Sequence, residues 1–510
     1  MRRESAGRLE LISPLACLVF MILLVNPRAT TWHYRIPLSV LSIGASIEGK
    51  FPYEILDGNI DPSLHASVLQ RIGRGDIRYL GITVMPGPQL REAILLSRRV
   101  RQSYPKITII WGGYFPSLHA AVTLQSGYVD YVVRDQGDLS FQRLITALEQ
   151  GGALDDIPGI SSIGDGTPRD NRAQGIVDPN SLSPLPYHRV DVRRYVGRTY
   201  LGTRTVNYHS SVGCPFVCGF CAVAAEYKAR WIGLPAQRVA DDLRWFKTNF
   251  NVNAVEFHDN NFFTSERRTA EFSERMKGMG IRWWGEARPD TMLNYDDRTW
   301  ASMRDAGLAM VFFGAESSST EVLRLMEKGG TQTGDTVLAL VEKMRRYDII
   351  PELSFVLGAP TPTIDADVEN DIRFIRKVKR LNPDAEIVLY VYSPVHFEDS
   401  DLYMAAVQYS FSYPKTLEDW LRPPWSQHDL RKDPSAPWIS KSLRTRIRNF
   451  EKVLNSAFPT ISDLKLTPGQ RTVLKSLGRW RYRLGLYRGP MEIMTAQRLF
   501  RYRQPEVEGF

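Results

Sequence analysis

Three of the four cysteines in this chain lie within eight residues, in the stretch SSVGCPFVCGFCAV (210–223). Cys214, Cys218 and Cys221 follow a Cys-x₃-Cys-x₂-Cys pattern, which places three soft thiolates around one small volume. One interpretation is structural zinc with His209 as fourth ligand, although zinc cysteines usually come as two separated pairs and no second pair exists here. The other is a [4Fe–4S] cluster, which ordinarily takes four cysteines. Three cysteines would leave one iron open, as catalysis at a metal requires.

The composition is that of an ordinary globular protein in a reducing compartment. At 510 residues the chain is too long for one core, so we expect two or three domains. Four cysteines argue against a disulfide framework, so we expect a cytoplasmic protein, with membrane association as an alternative. The isolated Cys17 is predicted to be an inert apolar filler.

The N-terminal apolar run at residues 11–25 is shorter than a membrane span. The acidic Glu4 and Glu10 weaken its similarity to a signal peptide. We therefore expect no secretion, an N-terminal extension over residues 1–20, and a buried first strand that begins at Met21.

Residues 21–150 alternate short apolar runs with helical patterns. The runs begin at Ile22, Tyr53, Ile77, Ile107 and Tyr128. Near-continuous apolar strands with helical crossovers indicate a parallel sheet covered on both faces. Five such units predict a flavodoxin-like (Rossmann-like) doubly wound domain, whose ligands bind beyond the carboxyl ends of the strands.

Residues 151–200 begin rich in Gly, Pro, Asp and Ser and are predicted to be a linker. Six further strand candidates follow within residues 201–398, and they begin at Thr205, Ala254, Arg282, Ala309, Pro351 and Glu386. This second series predicts an α/β fold with a partial (β/α)₆ TIM-like barrel, in which chemistry takes place at the carboxyl ends of the strands. The cysteine loop directly follows the first of these strands.

Residues 399–510 are predicted to be mainly helical and basic. From residue 441 to residue 510 there are fifteen Lys and Arg against five Asp and Glu. Such a tail favours an acidic partner, but no RNA-binding signature accompanies it, so nucleic acid is not the expected partner. One helix is predicted to pack a single face on the barrel, with peripheral membrane contact as the alternative. The residues of that face are Val473, Leu474, Leu477, Trp480 and Leu484.

The stretch CPFVCGFC, with Phe220 before its last cysteine, resembles the signature of the radical S-adenosylmethionine superfamily. The resemblance implies that Cys214, Cys218 and Cys221 bind three irons of a [4Fe–4S] cluster, while the fourth iron chelates S-adenosylmethionine. It also implies that an electron donor such as flavodoxin or ferredoxin reduces the cluster. Cleavage of the sulfonium would then release a 5′-deoxyadenosyl radical.

Three further segments, EFHDNNFF, VFFGAESSS and SFVLGAPTPT, are similar to the strand ends that bind S-adenosylmethionine in this superfamily. By this resemblance the candidates are Phe220 beside the cluster, Glu256 or Asp259 near the methionine amino group, Glu316 and Ser317 near the ribose and aminoacyl groups, and Gly358 and Pro360 near the adenine. The alternative for each carboxylate is an ion pair at the barrel rim, for example Glu286 with Arg288.

The region before the barrel resembles the cobalamin-binding domain of cobalamin-dependent radical S-adenosylmethionine enzymes. Gly112, Gly113 and Ser117, in the stretch GGYFPS, are similar to the turn that meets the corrin ring. A tight-turn role for the two glycines is the alternative.

Two departures from this cobalamin-binding pattern stand out. Asp135, Gln136 and Asp138 replace a Gly and two Glu of a second family stretch. Asn59 stands where the family's cobalt-ligating Asp-x-His-x-x-Gly motif would have histidine. We therefore expect cobalamin to bind without a protein imidazole, and a domain that has lost the cofactor is the alternative.

The resemblance implies a cobalamin-dependent methyltransferase that acts on an unactivated carbon. Oxidative ring closure, as in the anaerobic magnesium-protoporphyrin monomethyl ester cyclase group, is the alternative within the family, and a non-enzymatic zinc-binding module is the alternative of another class. We expect a small-molecule substrate, apolar or membrane-derived, such as a lipid or a tetrapyrrole. Trp283, Trp284, Tyr390 and Tyr392 lie near strand ends, where either substrate binding or core packing would explain them.

Overall fold

The computed structural model describes residues 20–30, 34–328, 330–397, 399–427 and 436–502. Cys17 and residues 1–19 of the predicted extension lie outside the described residues. Two sheets built mainly of parallel strands form the centre of the molecule, and a helical region follows them.

The first sheet has the order β2-β1-β3-β4-β5-β6-β7, and its first five strands run parallel. Its strands are β1 (Met21–Asn26), β2 (Tyr53–Asp57), β3 (Ile77–Thr83), β4 (Thr108–Gly112), β5 (Tyr131–Val133), β6 (Ile160–Gly164) and β7 (Thr167–Asp170). The order 2-1-3-4-5 is that of a flavodoxin-like doubly wound sheet, so the predicted fold class is confirmed.

Strand β1 explains why this sheet is buried on both faces. Ile22 and Leu24 belong to one hydrophobic core, whereas Leu23 and Val25 belong to the core on the opposite face. All four side chains are at most 2% exposed. Because side chains alternate along a strand, a continuous apolar run fits only a strand covered on both sides. The predicted buried strand from Met21 is confirmed.

The segment predicted as a linker is partly structured, and the prediction was wrong for its first half. β6 and β7 form an antiparallel hairpin that extends the first sheet beyond β5. Its turn has Asp165 and Gly166 at φ values of 51° and 77°. An Asp-Gly pair in which both residues have positive φ is a common hairpin turn. The sequence did not reveal the hairpin because its strands are too polar to show an apolar alternation.

The remaining strands are β8 (Thr205–Tyr208), β9 (Ser211–Gly213), β10 (Trp231–Gly233), β11 (Ala254–Phe257), β12 (Arg282–Ala287), β13 (Leu308–Glu316), β14 (Ile350–Leu357) and β15 (Glu386–Val391). Six of them form a parallel sheet in the order β15-β14-β13-β12-β11-β8. Among the described residues β8 and β15 do not pair with each other, so the sheet is the predicted partial barrel. β9 and β10 form a separate antiparallel pair on either side of the cysteine loop.

The helices are α1 (Leu38–Ile47), α2 (Leu64–Ile72), α3 (Pro88–Ser103), α4 (Tyr114–Leu118), α5 (Ala120–Leu124), α6 (Asp138–Gln150), α7 (Ala222–Tyr227), α8 (Ala236–Phe250), α9 (Glu266–Met276), α10 (Pro289–Leu293), α11 (Asp297–Asp305), α12 (Thr320–Leu325), α13 (Gly334–Arg346), α14 (Ile364–Leu381), α15 (Asp401–Gln408), α16 (Leu417–Trp420), α17 (Lys441–Ala457), α18 (Pro468–Leu484) and α19 (Met491–Leu499). In the part of the chain that the structure describes, no helix has both the length and the apolar character needed to cross a bilayer.

The C-terminal region is helical as predicted, and Leu474 and Leu477 of the predicted face of α18 pack inward, but the prediction was wrong for its other three residues. Val473 and Trp480 are each 45% exposed and Leu484 is 68% exposed. The buried residues of α18 are Leu474, Gly478 and Tyr482.

Close contact between helices, rather than apolar bulk, decides which face of α18 is buried. A Cβ atom added at Gly478 would lie 2.3 Å from the backbone nitrogen of Ala457 in α17. The two helices therefore approach each other most closely where α18 has no side chain.

Candidate functional site

The three clustered cysteines lie in the loop between β9 and α7. Cys218 is buried, Cys214 and Cys221 are partly buried, and all three thiols are free. The Ser400 hydroxyl donates a hydrogen bond of 2.7 Å to the carbonyl of Gly219 and holds the loop from the far side of the barrel. The three thiols are close enough to affect one another electrostatically.

Two buried cations stand beside the thiols. Arg288 Nη1 lies 3.7 Å from Cys218 Sγ, and the guanidinium is 3.9 Å from the centre of the Phe216 ring. Lys328 Nζ lies 5.4 Å from the centre of the Phe220 ring. Phe220, a candidate from the sequence, therefore contacts the Lys328 cation that lies near Cys218.

Each of these cations is fixed by its own carboxylate. Arg288 donates to Asp290 at 2.8 and 3.0 Å, and Lys328 Nζ lies 3.0 Å from Glu316. The suggested partner of Arg288 was Glu286, but Asp290, in the first turn of α10, takes this position. All four paired side chains are less than 10% exposed, so the positive charge near the thiols is held in place.

The surroundings of the thiols fit a bound metal cluster. Burial raises the pKa of the Cys214 thiol, and burial with the neighbouring thiols raises the pKa of Cys221 to about 12. Such thiols are protonated at neutral pH, whereas metal ligands are thiolates that a cation stabilises. The Asn261 amide is buried beside Cys214, where it favours the thiolate and so partly offsets the rise in the pKa of this thiol.

The zinc alternative needs a fourth ligand that converges with the three thiols on one point, whereas the irons of a cubane occupy separate corners. His209, the suggested fourth zinc ligand, instead lines a cavity described below, and burial lowers its pKa.

Glu316, a candidate from the sequence, ends β13 in a strained conformation. Its φ is 62°, in the left-handed region that favours glycine. The register between β13 and β14 shifts between Gly314 and Glu316. A bulge and a strained residue at a strand end are typical of functional sites.

The other two candidate carboxylates have different surroundings. Asp259 is 1% exposed and accepts hydrogen bonds of 3.0 and 3.1 Å from the Ser210 N–H, so it anchors the chain that enters the cysteine loop. Glu256 lies 3.4 Å from His258 and 3.8 Å from Arg35. Burial and Arg35 lower the pKa of His258 to about 4, so this imidazole is neutral.

Ser317 and Gly358 lie at the ends of neighbouring strands. The Ser317 hydroxyl donates to Asp371 at 2.9 Å. Gly358 has a φ of 81°, and its carbonyl accepts a hydrogen bond of 2.8 Å from Trp438 Nε1. The buried Pro360 follows on the same loop. Both candidates therefore already have structural contacts.

The aromatic residues near the strand ends separate into two groups. Trp283 is fully buried and donates to the carbonyl of Ala306 at 3.1 Å, which is a packing role. Trp284 donates to Glu352 at 2.9 Å and faces His258 at a ring distance of 5.3 Å. Tyr392 is buried and Tyr390 partly buried in a hydrophobic cluster with α15.

A cavity of about 640 Å³ lies at the carboxyl ends of the first sheet and is bordered by both domains. Gly81, Gly112 and Gly113 line it from the first domain, and His209 and Tyr227 line it from the second. Tyr227 ends α7, the helix that begins directly after the last cysteine. The cavity therefore lies where doubly wound sheets bind ligands and next to the thiol loop.

Bare backbone forms part of the cavity wall. Gly113 has a φ of 97°, and a Cβ atom there would lie 3.2 Å from Thr83 Oγ1. Ser117 does not line the cavity: its hydroxyl donates to the Gly113 carbonyl at 2.8 Å and accepts from the Asp135 N–H at 2.9 Å. Gly112 and Gly113 therefore form a tight turn at the cavity wall, and Ser117 fixes this turn.

The loop that departs from the family stretch also lines the cavity. Asp135, Gln136 and Asp138 are all part of the lining. Gln136 accepts a hydrogen bond of 2.8 Å from the Val177 N–H, and Asp138 accepts one from the Ser42 hydroxyl. The substituted side chains therefore bind neighbouring segments of the protein.

Asn59 belongs to a buried group of hydrogen bonds. Its Oδ1 accepts from the N–H groups of Ala29 at 2.9 Å and Thr30 at 3.1 Å, and its Nδ2 donates to Asp57 at 3.0 Å. Asp57 also accepts from the Tyr195 hydroxyl at 3.0 Å. The position where a cobalt-ligating histidine would stand is thus occupied by a structural side chain.

The sequence analysis assigned no role beside the cysteines to Arg288, Lys328 or Asn261, although it named Arg288 as a rim cation and quoted the stretch that contains Asn261. Each is distant in sequence from the cysteines. Arg288 directly follows β12. Because functional residues of such barrels lie at the carboxyl ends of the strands, this position was the signal that could have identified it.

Two protein-family models match the chain. The B12 binding domain matches residues 27–145, and the Radical SAM superfamily matches residues 208–378. The chain is similar to an uncharacterized methyltransferase of Pyrococcus horikoshii, at 25% identity over 71% of this chain and 78% of the relative. It is similar to the anaerobic magnesium-protoporphyrin IX monomethyl ester cyclase of Synechocystis, at 24% identity over 72% of this chain and 74% of the cyclase. It also resembles the hopanoid C-3 methylase of Methylococcus capsulatus, at 27% identity over 46% of this chain and 45% of the methylase.

Two solved structures share the fold. One is the cobalamin-dependent S-adenosylmethionine radical enzyme OxsB with aqua-cobalamin and S-adenosylmethionine bound, with a TM-score of 0.66, 16% identity, and coverage of 95% of this chain and 75% of OxsB. The other is the methyltransferase TsrM from Kitasatospora setae with cobalamin and a [4Fe–4S] cluster bound. Its TM-score is 0.63 at 17% identity, with coverage of 94% of this chain and all of TsrM.

Proposed function

This chain belongs to the cobalamin-dependent radical S-adenosylmethionine methyltransferase family, and we propose that it methylates an unactivated carbon of a small apolar molecule. The observation that supports this proposal is the shared cavity. The glycine turn of the first domain and the helix after the thiol loop border the same space. A radical formed near the thiols and a methyl group held in the first domain would therefore reach one substrate.

The cofactors of the family are a [4Fe–4S] cluster, S-adenosylmethionine and cobalamin, and the enzyme acts on a small molecule with electrons from a reductant. When bound, the cluster supplies the electron that cleaves S-adenosylmethionine, and cobalamin supplies the methyl group. We assign Cys214, Cys218 and Cys221 as the cluster ligands. Arg288 and Lys328 would orient and charge-balance the thiolates, and their bulk with Phe216 and Phe220 would keep water from them.

For the first domain we assign Gly112 and Gly113 to the corrin. Their backbone would let the ring approach without a side chain between. Glu316, at its strained strand end beside Lys328, is our candidate for S-adenosylmethionine. Asp259, Ser317 and Ser117 already have structural hydrogen bonds, and we propose that they position these segments.

Oxidative ring closure is the second candidate function. The observation that favours it is the similarity to a magnesium-protoporphyrin cyclase, which spans nearly as much of this chain as the similarity to the Pyrococcus methyltransferase. The two outcomes differ in product: only methylation transfers label from the methyl group of S-adenosylmethionine to the substrate.

An apolar, membrane-derived substrate is also part of our proposal. The relatives named for a hopanoid and for a magnesium porphyrin act on large apolar ring systems. The basic C-terminal region gives this chain a means to meet anionic membranes.

The test is to purify the protein without oxygen, reconstitute the cluster and add hydroxocobalamin. Elemental analysis and the ultraviolet–visible spectrum should give iron and cobalt in the ratio of one cubane to one corrin. Incubation with methyl-deuterated S-adenosylmethionine and hopanoid or porphyrin substrates should then give deuterated product. Iron without cobalt would refute methyl transfer through cobalamin, and zinc without iron would refute the radical mechanism.

A further inference from the structure

The exposed apolar side chains of this chain are concentrated in its C-terminal helices. Val473, Trp480 and Leu484 recur on one side of α18 and are at least 45% exposed. In the turn that follows, Leu486 is 48% exposed, and Met491, the first residue of α19, is 65% exposed. Contiguous exposed apolar side chains on a folded protein usually mark a surface that contacts something else.

The turn that carries these side chains is rigid. We call residues 484–491 the apolar tip. The Arg481 guanidinium donates to the carbonyls of Leu486 at 3.2 Å and Arg488 at 3.0 Å. It also pairs with Glu492. Because the carbonyls of the tip point inward to this guanidinium, its apolar side chains project outward.

The apolar tip is also attached to the barrel. Arg376 of α14 donates to the carbonyls of Tyr482 at 2.6 Å and Arg483 at 3.2 Å. Arg376 also donates to the Tyr487 hydroxyl. A loop held at both ends by buried or partly buried arginines keeps its shape, so the exposure of Leu484, Leu486 and Met491 is a fixed property of the fold.

The charges around the apolar tip are basic. Arg483 and Arg488 are exposed, and within the described ranges neither side chain forms an ion pair. The nearby Glu492 is already paired with Arg481. Exposed apolar side chains beside two unpaired arginines match the boundary of an anionic bilayer, where apolar groups enter the acyl region and arginines meet lipid phosphates.

We propose that the apolar tip is a peripheral membrane-binding surface that inserts Leu484, Leu486 and Met491 into an anionic lipid bilayer. This inference rests on the membrane contact proposed above and assigns it to named residues. It does not depend on methyl transfer. The inserted turn would hold the enzyme at the bilayer where apolar substrates dissolve.

The test is co-sedimentation of the full chain with lipid vesicles. One set contains phosphatidylcholine alone and the other also contains phosphatidylglycerol. The intact chain should bind the anionic set. The triple variant Leu484→Ser, Leu486→Ser, Met491→Ser should bind it about tenfold more weakly. The double variant Arg483→Gln, Arg488→Gln should lose the preference for phosphatidylglycerol.

The matched control is Ile461→Ser with Leu464→Ser, because these side chains are 41% and 43% exposed and lie outside the tip. Circular dichroism and cluster content should be unchanged in every variant. If the triple variant binds the vesicles as tightly as the intact chain, the apolar tip is not the membrane-binding surface, although the protein still contacts membranes. Absence of binding by the intact chain would overturn both, without bearing on methylation. A concentration-dependent dimer that the triple variant abolishes, without vesicle binding, would instead assign the tip to a second copy.

Discussion

The two halves of the site are built in opposite ways. The thiol loop is a single stretch of eight residues, but the charges beside it come from distant segments, with Arg288 directly after β12 and Lys328 in the loop after α12. The cavity has no such motif: its lining extends from Leu24 to Trp245, and much of its wall is backbone or apolar side chain. The difference indicates that a reactive ligand set can be local in sequence, whereas the space for a large cofactor depends on the whole fold.

The largest expected effect tests whether the two halves are independent. Cys218→Ala should abolish the brown colour and the cleavage of S-adenosylmethionine, because a [4Fe–4S] cluster cannot be held by two thiolates. Cobalamin binding should remain, since its cavity lies in the other half. The measurements are iron content, visible absorption and 5′-deoxyadenosine release.

Cys17→Ala is the matched control for that change and should keep full iron content and activity. Retained cleavage in Cys218→Ala would contradict the cluster assignment. Simultaneous loss of cobalamin would show that the two halves form one cooperative unit.

The reverse experiment disturbs the glycine turn that borders the cavity. Gly113→Val should weaken cobalamin binding by about tenfold or more, because the new side chain meets Thr83 and Val84 and is strained at a φ of 97°. Iron content should be unchanged. Equilibrium dialysis with hydroxocobalamin measures the effect.

Gly127→Val separates strain from the filling of space. Gly127 has a φ of 74° with nothing within 4 Å of an added Cβ. This control should lower stability but leave cobalamin affinity unchanged, and equal loss of affinity in both variants would contradict the cavity assignment.

A smaller effect should follow from changing the charge near the thiols. Asp290→Asn removes a carboxylate and leaves Arg288, so the cluster potential should become more positive. The double variant Arg288→Gln, Asp290→Asn also removes the cation and its contact with Cys218, so the potential should become more negative than in the single variant, with cleavage about tenfold slower.

A redox titration followed by electron paramagnetic resonance measures both potentials. Removing the ion pair as a unit avoids an uncompensated buried charge. Equal potentials in the single and double variants would show that Arg288 acts only in packing.

The smallest effect on the site should come from the C-terminal helices. Gly478→Ala forces α18 away from α17 and should destabilise the fold by about 1–3 kcal/mol, as overpacking does. Gly469→Ala, with open space around it, should be neutral or stabilising. Thermal unfolding measures both variants. Iron and cobalt content should stay unchanged at low temperature, and their loss would show that the helices support the site.

The sequence allowed the prediction of both sheets and of the thiol loop. Strands such as β1 are continuous apolar runs, and the cysteines are adjacent in the chain. The sequence did not allow the prediction of features that depend on contacts between residues distant in the chain. Leu474 and Trp480 are both large hydrophobic residues, but only Leu474 is buried, because Gly478 brings α17 against its side of the helix. The proximity of Arg288 to Cys218 was equally invisible, since it arises from the pairing of β12 within the barrel.

The hydrogen bonds of Asn59 restrict how this protein can evolve. A histidine at this position would lose the amide that binds the backbone of Ala29 and Thr30, and Asp57 would lose a donor. A single mutation would therefore damage the fold before it could supply a ligand for cobalt. A histidine here would therefore require compensating changes at Asp57 or in the 29–30 segment, so the effect of one substitution depends on the others.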